Sequence, residues 1–114
     1  MTSAILTGLF STLNATLVIG FFTTLALADP IDIRFDTHQF KPLRLSVPTG
    51  QPLTIRVINA SNETIEFESF KLNREKAIPP GESTIVRLPA LSAGDYDFYD
   101  DFHQDVPQGS IVAK

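Results

Sequence analysis

Hydrophobic and polar residues alternate along short segments of this chain after residue 29, and Pro, Gly and Asn residues separate those segments. Ile31, Ile33 and Phe35, for example, alternate with charged neighbours. A period of two is typical of strands that bury one face, and only KLNREK (71–76) is a candidate for a helical turn. The predicted strands cover residues 31–35, 43–47, 53–59, 64–69, 83–88, 95–100 and 110–113. About seven strands, spaced by about 8–12 residues, predict an all-β antiparallel sandwich.

The first 28 residues have a different pattern. Residues 5–27 contain no charged side chain, and the segment ends in Ala26-Leu27-Ala28 before Asp29-Pro30. An apolar run that stops at a small-x-small sequence predicts a helical signal peptide over residues 1–28, although no Lys or Arg precedes the run. The alternative is an uncleaved membrane anchor, since the run is long enough to span a bilayer. Either way, we expect one domain at 29–114.

Charge and cysteine content narrow the functional classes. All 13 acidic and 9 basic residues follow residue 28, and the formal net charge is −4. This balance argues against nucleic acid as a partner, because phosphate backbones need an excess of Lys and Arg. A weakly acidic surface instead suits cations or a basic protein. The chain has no cysteine, so neither disulfides nor thiolate ligands are available.

Acidic residues and one of the two histidines are concentrated near the C-terminus, in DFYDDFHQD (97–105). Asp100 has the same strand parity as Tyr96 and Phe98, so we expect its carboxylate to point inward. A buried, unpaired carboxylate costs several kcal/mol. His103, three residues later, offers two explanations: the pair binds a cation, or an Asp–His hydrogen bond locks the loop. The other three aspartates of this stretch are expected on the solvated surface.

From Phe40 onward, F-K-P-x-x-L-x-V-x-x-G, a strand ending in Asn59, and LSAGDYDFYDDFH together resemble the cupredoxins. The resemblance implies a Greek-key β-sandwich. It places Asp100 where copper-binding members have Cys, His103 at their His, Gln108 at their Met, and Glu66 near their remaining His. A blue-copper site needs a thiolate. Type 1 copper is therefore excluded by the absence of cysteine.

A narrower resemblance covers residues 31–114. EFES, REK, Pro-Gly, L-x-x-G-x-Y-x-F and DFH are similar to the EfeO-type cupredoxin-like domains found beside bacterial iron permeases. This resemblance implies a periplasmic protein that handles iron, or copper, during uptake. Its expected partners are the metal ion and a membrane iron permease or other periplasmic uptake proteins.

These observations lead to a hypothesis of an iron or copper site with oxygen and nitrogen ligands. Carboxylates and an imidazole suit Fe(II), and a set rich in anionic oxygen favours Fe(III), so either a ferroxidase-like role or a metal-binding accessory role is consistent. Glu66 has an alternative as an ion-pair partner of Arg74 or Lys76, and Glu75 is expected to balance neighbouring charges. The alternative function is a metal-free interaction module of a transporter assembly. The candidate ligands are Glu66, Glu68, Asp100, His103 and Gln108.

Overall fold

The computed structural model describes residue 8, residues 12–22 and residues 29–114. The described chain contains nine strands and no helix. The strands are β1 (Ile31–Asp36), β2 (Gln39–Lys41), β3 (Arg44–Val47), β4 (Leu53–Asn59), β5 (Ile65–Ser69), β6 (Arg74–Ile78), β7 (Ser83–Leu88), β8 (Gly94–Asp100) and β9 (Gly109–Ala113).

The strands form two sheets, as expected for a sandwich. One has four strands in the order β2-β1-β4-β7, and the other has five in the order β3-β9-β8-β5-β6. The β1–β4 and β3–β9 pairs are parallel, and the remaining pairs are antiparallel. Strands β5, β6 and β8, which carry most of the candidate ligands, are therefore neighbours in the five-stranded sheet.

The core lies between the sheets and is built from the inward-facing residues of each strand. Four phenylalanines fill its centre, and none is more than 2% exposed. The Phe40 ring lies 5.0 Å from that of Phe35 and 5.1 Å from that of Phe98, both in edge-to-face geometry. Such contacts add about 0.5–1.5 kcal/mol per pair to the burial of the rings. The inward parity predicted for Phe98 and Asp100 is confirmed, since both are 0% exposed.

Two strands differ from the sequence prediction. Strand β2 pairs with β1 through a tight hairpin in which Thr37 and His38 both have positive φ angles of 48° and 57°. That backbone is typical of two-residue hairpin turns but is uncommon for these residue types. KLNREK, the one candidate for a helical turn, forms no helix, and its last three residues belong to β6. Asn73, with φ of 52°, ends a turn from which β6 continues as an edge strand paired with β5.

The expected signal helix falls largely on residues 1–7, 9–11 and 23–28, which lie outside the described residues. Residues 12–22 have no regular secondary structure. Within the described part of the chain, no helix has the length and hydropathy needed to cross a membrane.

Candidate metal centre

Asp100, the last residue of β8, is a fully buried carboxylate with a complete set of hydrogen-bond partners. Its Oδ1 accepts bonds from the backbone N–H groups of Glu66 (2.9 Å) and Phe102 (3.1 Å). Its Oδ2 lies 2.7 Å from Nδ1 of His103. Three charge-assisted bonds offset much of the cost of burying the charge.

His103 lies between two carboxylates. Besides Asp100 on one side, Oε2 of Glu63 lies 3.0 Å from Nε2 on the other. The hydrogen bond with Asp100 raises the pKa of His103, and the charges of Asp100, Glu63 and Asp105 act in the same direction against partial burial. Both ring nitrogens are occupied in this arrangement. The geometry corresponds to the locking Asp–His hydrogen bond, one of the two explanations that the sequence left open.

A second group of carboxylates lies on the opposite, outer face of the same sheet. Glu66 and Glu68 are two residues apart on β5, so both point away from the core that Phe67 enters. Asp101 follows the inward-facing Asp100 and therefore faces outward. Carboxylate oxygens of Glu66, Glu68 and Asp101 all lie within 4.8 Å of one another. We call these three residues the carboxylate cluster.

Glu75 on β6 extends this negative charge. It pairs directly with Glu68 across the β5–β6 ladder. A hydrogen bond with Glu75 is the main cause that raises the pKa of Glu66 to about 7. Burial of Glu66 contributes next, followed by the negative charges of Glu75, Asp101 and Glu68. Glu66 is only 8% exposed, so water screens this repulsion poorly.

Basic side chains do not neutralise the cluster in the described residues. No salt bridge there involves Glu66, Glu68 or Asp101. Arg74, one expected partner of Glu66, instead donates to the carbonyl oxygens of Leu72, Asn73 and Arg87. The uncompensated negative charge makes this face a favourable position for a cation.

Gln108 is exposed and forms no hydrogen bond to Asp100 or His103 in the described chain. It lies along a groove of about 460 Å³.

Burial is the main cause that raises the pKa of Tyr99 in this groove, and the charge of Glu68 adds to the effect. The lining residues are Phe70, Lys71, Asp97, Tyr99, Gln104 and Gln108.

Four of the five predicted ligands therefore fall into two groups, and Gln108 belongs to neither. Glu66 and Glu68 join the cluster, whereas Asp100 and His103 form a hydrogen-bonded pair behind it. Asp101, expected on the solvated surface, is a member of the cluster, which the sequence does not predict. The outward direction of the Asp101 side chain was predictable from the alternation along β8, but its proximity to Glu66 depends on how β8 pairs with β5. The assignment of Asp100, His103 and Gln108 as ligands stays a prediction.

Solved structures with a similar fold include two that contain Cu(I). The metal-binding domain of the Cu(I)-exporting P-type ATPase CopA of Streptococcus pneumoniae D39 is 17% identical, with a TM-score of 0.66 over 75% of this chain and 84% of that one. The purple cupredoxin of Nitrosopumilus maritimus is also 17% identical, with a TM-score of 0.58 over 74% and 99%. The Cu(I) form of an amicyanin mutant is 21% identical, with a TM-score of 0.58 over 77% and 86%. At these identities the similarity shows the fold alone.

A type 1 copper centre does not fit the residues of this chain. No cysteine is present to supply the thiolate. Asp100, which the resemblance aligns with that cysteine, already accepts hydrogen bonds at both carboxylate oxygens. A buried carboxylate and an imidazole thus connect the end of β8 with β5 and with the turn that follows β8.

Two sequence comparisons found matches to this chain, and the second shows its family. An uncharacterized protein of Rickettsia prowazekii (strain Madrid E) is 38% identical over 84 residues, which cover 74% of this chain and 67% of that protein. The profile of the family described as "Cupredoxin-like domain" matches residues 5–113. This chain belongs to the cupredoxin-like domain family.

Proposed function

We propose that this protein is a periplasmic metal carrier that binds iron at the carboxylate cluster and assists iron uptake, with copper as the alternative cargo. The observation that carries the proposal is the approach of three carboxylate oxygens within 4.8 Å on one sheet face, without a basic partner in the described chain. Anionic oxygen ligands favour hard cations, and they favour Fe(III) over Fe(II) because of its higher charge.

The position of the cluster suits transfer of the cargo. Glu68 and Asp101 are half-buried at the sheet surface, while Glu66 lies deeper. A cation bound there would keep part of its coordination sphere open to water or to a ligand from a partner. The resemblance to domains found beside iron permeases and the apolar leader support a role next to such a permease in the periplasm.

The test is metal binding by purified, chelator-stripped protein. Calorimetry and elemental analysis with Fe(II) under anaerobic conditions, Fe(III)-citrate and Cu(II) would measure stoichiometry and affinity. The triple variant Glu66→Gln, Glu68→Gln, Asp101→Asn removes the cluster. The control triple variant Asp29→Asn, Glu82→Gln, Asp105→Asn removes three exposed carboxylates elsewhere and changes the net charge by the same amount.

We expect one equivalent of iron in the wild type and in the control variant, and none in the cluster variant. His103→Asn tests the other group of predicted ligands. If His103→Asn abolishes binding and the cluster variant retains it, the site lies at the Asp100–His103 pair and the cluster assignment is wrong. If the wild type binds neither iron nor copper, the metal-carrier function is wrong.

One observation favours the second candidate, a metal-free interaction module. Phe70 is 81% exposed beside Tyr99, with ring centroids 6.1 Å apart at the groove described above. Exposed aromatic side chains beside a groove are typical of binding surfaces. Two results together would support this function. The wild type should bind a transporter component but no metal, and Phe70→Ala should lose binding to that component.

A further inference from the structure

Asp100 lies directly behind the carboxylate cluster, and its side chain forms a hydrogen bond with the backbone of Glu66, a residue of that cluster. The β5–β8 ladder pairs Phe67 with Asp100 and Glu68 with Tyr99, and Glu66 is the next residue along β5. There the N–H of Glu66 donates to Oδ1 of Asp100 at 2.9 Å, while its carbonyl oxygen accepts the N–H of Asp101 at 2.9 Å. Two consecutive residues therefore hold both backbone polar groups of Glu66.

The same carboxylate also holds the turn that follows Asp101. Oδ1 of Asp100 accepts the N–H of Phe102 at 3.1 Å, so one oxygen atom binds the backbone on both sides of the cluster. Oδ2 continues through His103 to Glu63, which lies in the turn before β5. The separation of Glu66 from Asp101 is thus set by their direct backbone hydrogen bond together with a side chain that points to the other face of the sheet.

This dependence has an energetic reason. Glu66, Glu68 and Asp101 repel one another, and burial of Glu66 strengthens that repulsion. Asp101 begins a turn after the last residue of β8, where a strand end without such support would be expected to fray. Oδ1 of Asp100 accepts a hydrogen bond from each segment and so holds both of them against this repulsion.

We propose that Asp100 is a positioning residue for the cation site: its buried carboxylate fixes the spacing of the Glu66 and Asp101 ligands from behind the sheet and does not itself coordinate the metal. This inference rests on the proposed function of the cluster. The residue that aligns with the copper-binding cysteine of relatives then organises a site on the opposite face of the same sheet. Residues that orient ligands without binding the metal typically contribute about 10–100-fold to affinity.

Two substitutions at this position separate positioning from coordination. Asp100→Asn keeps an oxygen that accepts the Glu66 and Phe102 N–H groups but loses the negative charge that a ligand would supply. Asp100→Ser shortens the side chain, so its hydroxyl can still accept the N–H of Phe102 within the local turn but is too short to accept the N–H of Glu66 on the neighbouring strand. Iron affinity is measured for both variants by calorimetry, and folding is checked by amide NMR spectra and urea unfolding.

We expect Asp100→Asn to retain an affinity close to that of the wild type, and Asp100→Ser to bind iron about tenfold or more weakly while the cluster side chains are intact. Asp95→Asn, the same substitution at an exposed position on the same strand, is the matched control and should bind like the wild type. In Asp100→Asn, the amide hydrogen of Glu66 should stay protected from exchange, which a ligand role does not require.

Equal, strong losses in Asp100→Asn and Asp100→Ser would show that the charge matters, and would overturn the inference in favour of direct coordination. Unchanged binding in Asp100→Ser would overturn it as well. Should Asp100→Ser fail to fold, Asp100→Asn still decides the matter through its affinity and the protection of the Glu66 amide. A wild type that binds no iron contradicts the proposed function itself, and that result is distinguished before any variant is compared.

Discussion

Glu66 is a carboxyl group that the folded chain places where ionisation is unfavourable. It is nearly buried, shares a hydrogen bond with Glu75 and faces the charges of Asp101 and Glu68. Its pKa rises from 4.5 to about 7 for these reasons. In the metal-free protein at neutral pH, the cluster therefore holds a proton for part of the time. A bound cation would replace that proton and remove the repulsion.

This shift predicts how the metal-free protein responds to Glu66→Gln. Between pH 4.5 and about 7 the folded state binds more protons at Glu66 than the unfolded state does. Stability must then fall as pH rises through that window. Gln does not titrate, so we expect Glu66→Gln to be close to wild type below pH 4.5 and more stable than wild type at pH 8.

The measurement is urea unfolding at both pH values in the presence of a chelator. Glu82→Gln, an exposed carboxyl in the turn before β7, is the matched control and should show a smaller pH-dependent difference from wild type. A Glu66→Gln variant that is less stable than wild type at pH 8 would contradict the raised pKa.

Individual residues also show what the sequence could and could not predict. The inward direction of Asp100 followed from parity with Phe98, because alternation along a strand is a local property. The hydrogen bond between Glu66 and Glu75 was not predictable, since it depends on the β5–β6 pairing, which places Glu75 opposite Glu68. A side chain's direction is thus encoded locally, whereas its neighbours on the sheet surface are set by the register of other strands.

Among the structural elements, the turn between β4 and β5 depends on one buried side chain. Asn59 is 0% exposed at the end of β4. Its Nδ2 donates to the carbonyl oxygens of Glu63 (2.7 Å), Ile78 (2.9 Å) and Pro79 (3.2 Å). Its Oδ1 accepts the N–H and Oγ–H of Ser61 at 3.0 and 2.6 Å. Asn59 therefore connects the four-stranded sheet to the end of β6 in the other sheet.

We expect Asn59→Ala to lower the free energy of unfolding by about 2–4 kcal/mol, because three carbonyl groups, including the buried one of Ile78, lose their side-chain donor. Asn62→Ala, at an exposed position in the same turn, should change it by no more than about 0.5 kcal/mol. Urea unfolding of both variants is the measurement. Equal effects would show that the contacts of Asn59 are not what stabilises this turn.

The strands were predicted where a two-residue period was regular and missed where it was short or masked by charge. Strand β2 has only three residues, Gln39–Lys41. It follows a turn with positive φ angles that contains neither Gly nor Asn, the residues that usually indicate such a turn. Strand β6 contains Arg74, Glu75 and Lys76, so its sequence has little apolar alternation. Both lie at sheet edges, where one neighbour is enough and charged residues are favoured.

At the scale of the whole molecule, the inner and outer faces of the sheets have different roles. Their inner faces form the aromatic core, and the outer face of the five-stranded sheet carries the carboxylate cluster. The family, and with it the sandwich, was predictable from motifs spread over residues 31–114. The carboxylate cluster on the outer face was not predictable, because the cupredoxin motifs place the expected ligands at Asp100 and His103, behind the cluster.

Because the cluster joins residues that are far apart in the sequence, the unfolded chain does not present it. Glu66 and Glu68 come from β5, while Asp101 follows β8. A cation that binds only the folded state stabilises it by about 2.7 kcal/mol at a concentration of 100 times Kd. For a domain of this size, each kcal/mol raises Tm by about 4–8 °C, so iron at that concentration should raise Tm by roughly 10–20 °C.

Differential scanning calorimetry of stripped protein with increasing iron is the measurement. The wild type and the control triple variant Asp29→Asn, Glu82→Gln, Asp105→Asn should both show the shift, and Glu66→Gln, Glu68→Gln, Asp101→Asn should show none. An equal shift in all three proteins would mean that iron stabilises the fold without using the cluster. A shift that disappears only with the cluster would show that the outer face of the five-stranded sheet binds the metal and thereby stabilises the whole sandwich.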